Sequence, residues 1–192
     1  MLWVADEPTT VRRVSVYPSP VGPMWVLHAG RALYAAEFRA VEGTAAGATV
    51  GGAAVVPMPD WIAQILDDLF AGRCNQDWSV VDTGFTALEK ALLQTAAEQV
   101  PFGSTCSYST LAHLAGFPGR ARAAGRAMSR APLAYLIPTH RIIRADGTAA
   151  ACQRDPLNDQ LRRLEHIELH PTASRRDGGT HRSLPLPTRP WG

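Results

Sequence analysis

Residues 136–143 read LIPTHRII, a proline, a small polar residue, a histidine and an arginine set between apolar neighbours. The pattern is that of an active-site turn, where a side chain that can be deprotonated stands beside a base. The side chain in the reactive position is Thr139. A thiol at that place would ionise at about 8.5 and could be lowered further by its surroundings. A threonine hydroxyl ionises many units higher and is branched next to its oxygen. It serves as a nucleophile mainly where the electrophile is a carbonyl and an oxyanion hole assists.

A second concentration of chemistry lies just upstream. Between Phe117 and Ala145 stand Arg120, Arg122, Arg126, Arg130, Arg141 and Arg144, with no acidic residue among them. Lys90 is the one lysine of a chain whose net charge is only +2. Arginine binds phosphate bidentately, so a local basic block in a nearly neutral chain points to an anionic partner such as nucleic acid. The other reading is a solvated arginine-rich face. Cys74, Cys106 and Cys152 are scattered, odd in number and not in C-x-x-C spacing, which indicates neither a disulfide framework nor a zinc site. His28, His113, His166, His170 and His181 lack metal-ligand spacing, so no metal or cofactor is expected.

These residues need elements to hold them. Val14 and Val16 alternate with polar neighbours, PSPVGP supplies a turn, and MWVLHA and ALYAAEF read as two further strands around Gly30, giving a small antiparallel sheet. Residues 41–59 are rich in Gly, Ala and Val and read as a connection. Asp60 is placed to cap WIAQILDDLF, whose Trp61, Ile62, Ile65, Leu66 and Leu69 mark one face, and Gly72 closes that helix. Residues 73–84 then read as a linker.

The second half reads as helical. Thr86 and Glu89 fit a capping box before ALEKALLQTAAEQV, Leu88, Leu92 and Ala96 share a face, and Pro101 stops the helix. A short helix over about Ser107–Ala115, the turn FPG and a third helix over about Arg120–Arg130 give a helix-turn-helix outline. Arg122, Arg126 and Arg130, four apart, form one stripe on the third helix, and the alanines around them keep it thin. Thin helices suit close approach to a duplex, or equally close helix packing. The run LAYLI reads as extended, and PLNDQLRRLEHIEL as a last helix with Leu157, Leu161 and Leu164 inward.

The fold class expected is α+β, a small N-terminal antiparallel sheet plus helix followed by an α-rich, winged-helix-like domain with a helix-turn-helix. The domains would be 1–78 and 79–169, with a disordered basic tail over 170–192. No run of eighteen uncharged apolar residues occurs and the N-terminus lacks a signal-peptide pattern, so a cytoplasmic protein without a membrane partner is expected.

In order and at matching spacing, VPFGSTCSYSTLAHLAG, RARAAGRAM, LIPTHRII and RRLEHI resemble the C-terminal domain of the O6-alkylguanine-DNA alkyltransferases. SPVGPMWVL and LDDLFAG resemble that family's N-terminal domain more weakly, and together the blocks span about residues 14–168. The resemblance implies a protein that flips O6-alkylguanine out of double-stranded DNA and transfers its alkyl group to a cysteine without a cofactor. It assigns Tyr108 to pushing the phosphate and Arg122 to filling the stack, and the basic stripe adds Arg126 and Arg130 as candidate DNA-binding residues. His140 would be the base that works through a water, Arg141 its structural neighbour (grouped here with the DNA-binding residues), and Glu165 the orienter. Met128 and Ile142 match apolar walls of the base pocket.

The acceptor cysteine is replaced by Thr139, which is expected not to take an alkyl group. Ala131 stands where the family has asparagine, and AACQRD replaces a glycine-rich loop, putting Cys152 at a tyrosine position with Gln153 and Arg154 after it. The pattern resembles the alkyltransferase-like members, which bind the lesion and hand it to nucleotide excision repair. Three functions stay open at this point: a non-catalytic reader of alkylated guanine, acting as a monomer; a transferase using a displaced thiol, Cys152 before Cys106; and a DNA-binding module blind to lesions.

Overall fold

The computed structural model describes residues 1–6, 11–38, 49–50, 52–73, 77–150 and 156–169. Three strands, β2 (Arg13–Ser19), β3 (Gly22–Ala29) and β4 (Ala32–Phe38), pair antiparallel in sequence order, as the alternation of their side chains predicts. Gly30 joins the second pair with φ 54°, a left-handed conformation that glycine adopts without steric cost.

The sheet is larger than the sequence suggests. It has seven strands, with β1 (Leu2–Ala5) and β7 (Ser79–Asp82) added beyond β4, and β6 (Ala53–Val55) and β5 (Thr49–Val50) beyond β2. β7 runs parallel to both β1 and β4, and β6 runs parallel to β2, so the sheet is mixed. The connection expected over 41–59 and the linker expected over 73–84 therefore each contribute strand, and the sheet draws on residues past position 78. Val80 and Val81 of β7 are both buried, one toward each face, so polar and apolar residues do not alternate there.

α1 (Asp60–Phe70) lays Ile62, Ile65 and Leu66 into the core that holds Met24, Val26 and Leu33. Its N-cap is Pro59, so Asp60 sits in the first turn, where its charge favours the helix dipole without capping it. α2 (Ala87–Gln99) carries the expected capping box: the Thr86 hydroxyl accepts from the Glu89 amide, and the Glu89 carboxylate accepts from the Thr86 amide. Two short helices follow, α3 (Tyr108–Leu114) and α4 (Ala121–Ser129), joined through residues 115–120 with Gly116 and Gly119 at positive φ. Last comes α5 (Pro156–Leu164), with Leu161 buried.

LAYLI is not extended. Tyr135 has φ 68°, and the backbone doubles back, with the Leu136 amide donating to Ala134 O and that of Ile137 to Leu133 O. β4 anchors the kink: the Ala36 amide donates to Pro132 O at 2.9 Å, and the Ala134 amide donates to Ala36 O at 2.8 Å. One hydrophobic core runs through both halves, from Tyr17 to Leu161. Among the described residues, no helix is long and apolar enough to cross a membrane. The expectations for Cys74, for Cys152, Gln153 and Arg154, and for the tail from 170 lie outside the described residues.

Candidate functional site

A short parallel pairing brings the two halves of the site together. β8 (Cys106–Ser107) pairs with β9 (Ile142–Ile143), with Cys106 opposite Ile142. β8 leads directly into α3, whose first residue is Tyr108, and β9 directly follows a one-turn 3-10 helix, Thr139–Arg141. A residue expected to touch a phosphate and the expected acceptor position thus hang from adjacent strands.

Pro138 opens the turn, and the Thr139 amide donates to Ile137 O at 2.8 Å. Thr139 is partly exposed, whereas His140 is wholly buried. The imidazole Nε2 lies 2.8 Å from Glu165 Oε1, and Nδ1 has no hydrogen-bond partner among the described residues. Arg141 lies beneath them, donating from Nη2 to Glu165 Oε1, from Nε to Glu165 Oε2 and from Nη1 to Val100 O, each at 2.8 Å. The Gly103 amide adds a donor to Oε2 at 3.2 Å.

The proton positions follow from charge. Burial alone would raise the Glu165 carboxyl, but hydrogen bonds and charge from His140 and Arg141 outweigh it and hold the group down to about 2. Glu165 is therefore a carboxylate that only accepts, and His140 Nε2 must carry the hydrogen between them. Burial, with Arg141 and Arg162 nearby, keeps the His140 imidazole below its ordinary range against the opposing pull of Glu165. A neutral ring protonated at Nε2 leaves Nδ1 as a bare acceptor. The arrangement can therefore accept a proton at Nδ1 while Glu165 fixes the tautomer, beside a residue that is not a thiol.

The arginines separate into different roles. Arg122 and Arg126 are exposed on α4, whose opposite face buries Ala123, Ala124, Ala127 and Met128. Arg130 is bound to Glu89 at 2.6 Å and lies over the Phe85 ring, which ties α4 back to the start of α2. Arg141 is buried, with Nε, Nη1 and Nη2 each donating within the protein, and supports Glu165, whereas Arg122 and Arg126 lie on the surface. Tyr108 is partly exposed and packs along α4, where its ring lies 3.9 Å from the place a Cβ on Gly125 would occupy. Met128 and Ile142 are buried in the core in this conformation.

Cys106 is buried, and burial pushes its thiol up to about 11, so it is a poor nucleophile at neutral pH. Several supports of the site escaped the sequence reading. Arg162 is buried in α5, where it donates to His140 O at 3.3 Å and to Asp159 at 2.7 Å. Tyr135 stacks on His140, with ring centroids 5.5 Å apart and planes 9° from parallel. Its only signal in the sequence was to be the one aromatic residue inside LAYLI. Among the described residues, no group of His, Cys, Asp and Glu could hold a metal ion.

Residues 89–167 match the family model for the DNA-binding domain of 6-O-methylguanine DNA methyltransferase. The chain is 40% identical over 82 residues to the methylated-DNA–protein-cysteine methyltransferase of Mycobacterium leprae, covering 43% of this chain. It spans about half (49%) of that relative's length. With the Mycobacterium bovis protein of the same name it is 31% identical over 132 residues, 67% of this chain and 76% of that one. The fold is also similar to that of Mycobacterium tuberculosis OGT, solved in complex with DNA, with a TM-score of 0.59 and 26% identity, over 80% of this chain and 92% of that one.

Proposed function

The chain belongs to the methylated-DNA–protein-cysteine methyltransferase family, and from that premise we propose that it recognises O6-alkylguanine in double-stranded DNA without removing the alkyl group. The observation that carries this reading is Thr139 itself, set against a base and orienter that are otherwise intact. Alkyl transfer needs a nucleophile able to displace guanine from a saturated carbon, and a hydroxyl next to a neutral imidazole is far weaker there than a thiolate.

In this reading α3 and α4 form a helix-turn-helix that lies in the minor groove. Arg122 fills the space left in the stack, Tyr108 pushes on the phosphate of the extruded nucleotide, and Arg126 pairs with the backbone. Extrusion costs a few kcal/mol, least where pairing is already weakened, as it is for an O6-alkylated base. The exposed arginines on a thin helix, beside a tyrosine anchored at its own helix start, support those roles. The protein would act as a monomer in the cytoplasm and leave the lesion to another system, nucleotide excision proteins being the class expected.

Two measurements test this. The intact mass after incubation with excess duplex containing O6-methylguanine should be unchanged, and a gain of one methyl group would overturn the reading. Affinity for that duplex should exceed affinity for unmodified DNA, and the preference should vanish in Tyr108→Ala or Arg122→Ala. Equal affinities in the unaltered protein would leave a salt-sensitive, sequence-independent binder instead. No described feature favours transfer to another thiol: Cys106 is buried, and Cys152 lies outside the described residues.

A further inference from the structure

Four aromatic rings form a column from the sheet to the site. Tyr17 of β2 stacks on Phe70 of α1, with centroids 5.8 Å apart and planes at 11°. Phe70 stacks on Tyr135 at 4.1 Å and 10°, and Tyr135 on His140 at 5.5 Å and 9°. Both tyrosines are tied to the last turns of α1. The Tyr17 hydroxyl donates to Asp67 at 2.6 Å, and the Tyr135 hydroxyl to Leu69 O at 3.3 Å.

Tyr135 reaches this place at a conformational cost, because its φ of 68° is left-handed and the residue is not glycine. The same end of α1 bears on the site a second time. A Cβ on Gly72 would stand 3.3 Å from the Phe102 ring, and Phe102 lies against the Arg141 guanidinium, 5.8 Å from ring centroid to Cζ. The end of α1 thus reaches both His140 and the arginine that holds its carboxylate through one intervening ring each, Tyr135 and Phe102.

We propose that Tyr135 is a positioning residue: held by the end of α1, it fixes the plane of the His140 imidazole so that Nδ1 stays directed at the acceptor position and screened from bulk water. The inference deepens the reading above, from which it takes His140 as the group facing that position. Four groups set the state of the ring: Glu165 on Nε2, the Arg141 guanidinium, Arg162 on the His140 carbonyl, and the face of Tyr135. Only the last belongs to the kinked loop and can be altered without removing a charge. With its covering ring gone, the imidazole gains water and should titrate at higher pH, with its two neutral tautomers mixed.

The test follows the ring nitrogens of His140 by NMR in the full chain, without DNA. Tyr135→Phe keeps the stack but loses a hydroxyl that also interacts with Glu165 and Arg141, so it should keep the tautomer and move the midpoint less than loss of the ring does. Tyr135→Gly relieves the left-handed strain while deleting the ring, and should raise the midpoint and mix the tautomers. If the glycine variant folds and His140 is unmoved, the proposal fails. Phe70→Leu, one ring further away, should raise the midpoint in the same direction if Tyr135→Gly does not fold, and an unmoved His140 there also overturns it. Lesion preference of the unaltered protein is measured separately. Its absence would sink the functional reading while leaving the His140 result to decide the role of Tyr135.

Discussion

His140 Nε2 and Glu165 Oε1 are 25 residues apart in the chain and 2.8 Å apart in space, in side chains with 1% and 0% of their surface exposed. A buried carboxylate is retained at such a cost only when its lone pairs are filled. Here His140, the Nε and Nη2 groups of Arg141 and the Gly103 amide fill them. The carboxylate and the imidazole it orients are therefore held as one buried unit next to Thr139.

Thr139→Cys should restore acceptor chemistry in part. A thiol at that position would be next in sequence to a neutral imidazole whose Nδ1 has no hydrogen-bond partner among the described residues, and the expected outcome is a one-methyl gain in intact mass with O6-methylguanine duplex. An unchanged mass in a folded variant would place the fault elsewhere, with Ala131 and the AACQRD residues the first places to look.

Glu165→Gln keeps the shape but removes the charge that balances Arg141. Breaking a buried pair on one side costs about 3 kcal/mol or more, and urea unfolding should show a midpoint lowered accordingly without a change in slope. A loss below about 1 kcal/mol, in the range of an exposed pair, would contradict the buried geometry.

Acid should unfold the protein through the same group. Because Glu165 is held down to about 2 when folded and ionises near 4.5 when free, its contribution is complete above about pH 4.5 and is lost as pH falls toward 2. By linkage the loss is on the order of 3 kcal/mol. His140, lowered from 6.5 by burial, adds a loss of the same sign that begins below its ordinary value. Stability measured against pH should therefore fall from near neutrality downward, and Glu165→Gln should remove the steepest part.

Arg122 and Arg130 share a helix stripe but should behave differently. Arg122→Ala should weaken DNA binding and reduce the slope of log affinity against log salt by about one. Arg130→Ala should affect that slope less and instead loosen the junction with Glu89 and Phe85. Equal slopes lost in both variants would return Arg130 to the DNA face.

Local signals in the sequence revealed most helices, although the last stops at Leu164 and does not run on to Leu169, because the chain turns there with His166 at φ 56°. The Thr86–Glu89 box, the apolar faces of α1 and α2, and Gly116 all act within a few residues and are found where expected. What stayed hidden depends on partners far along the chain. β1, β6 and β7 are short, and their parallel pairing leaves no alternation to read. Tyr135 looked like part of an extended run because its kink is imposed by β4, about a hundred residues earlier. The site followed the same division. Ordered blocks of sequence named Thr139, His140 and Glu165 as candidates, whereas the contacts of Arg130, Arg162 and the aromatic column depend on three-dimensional neighbours.

The place of β7 has a consequence for how the chain is made. Among the described residues β1 pairs only with β7, so Leu2–Ala5 must await Ser79–Asp82 before they find a partner. During synthesis the first strand emerges long before the strand that seats it, and closing so long a loop is entropically slow. The two halves should consequently acquire stability in one late step, and a fragment ending at residue 78 would leave a fully synthesised strand with nothing to pair against.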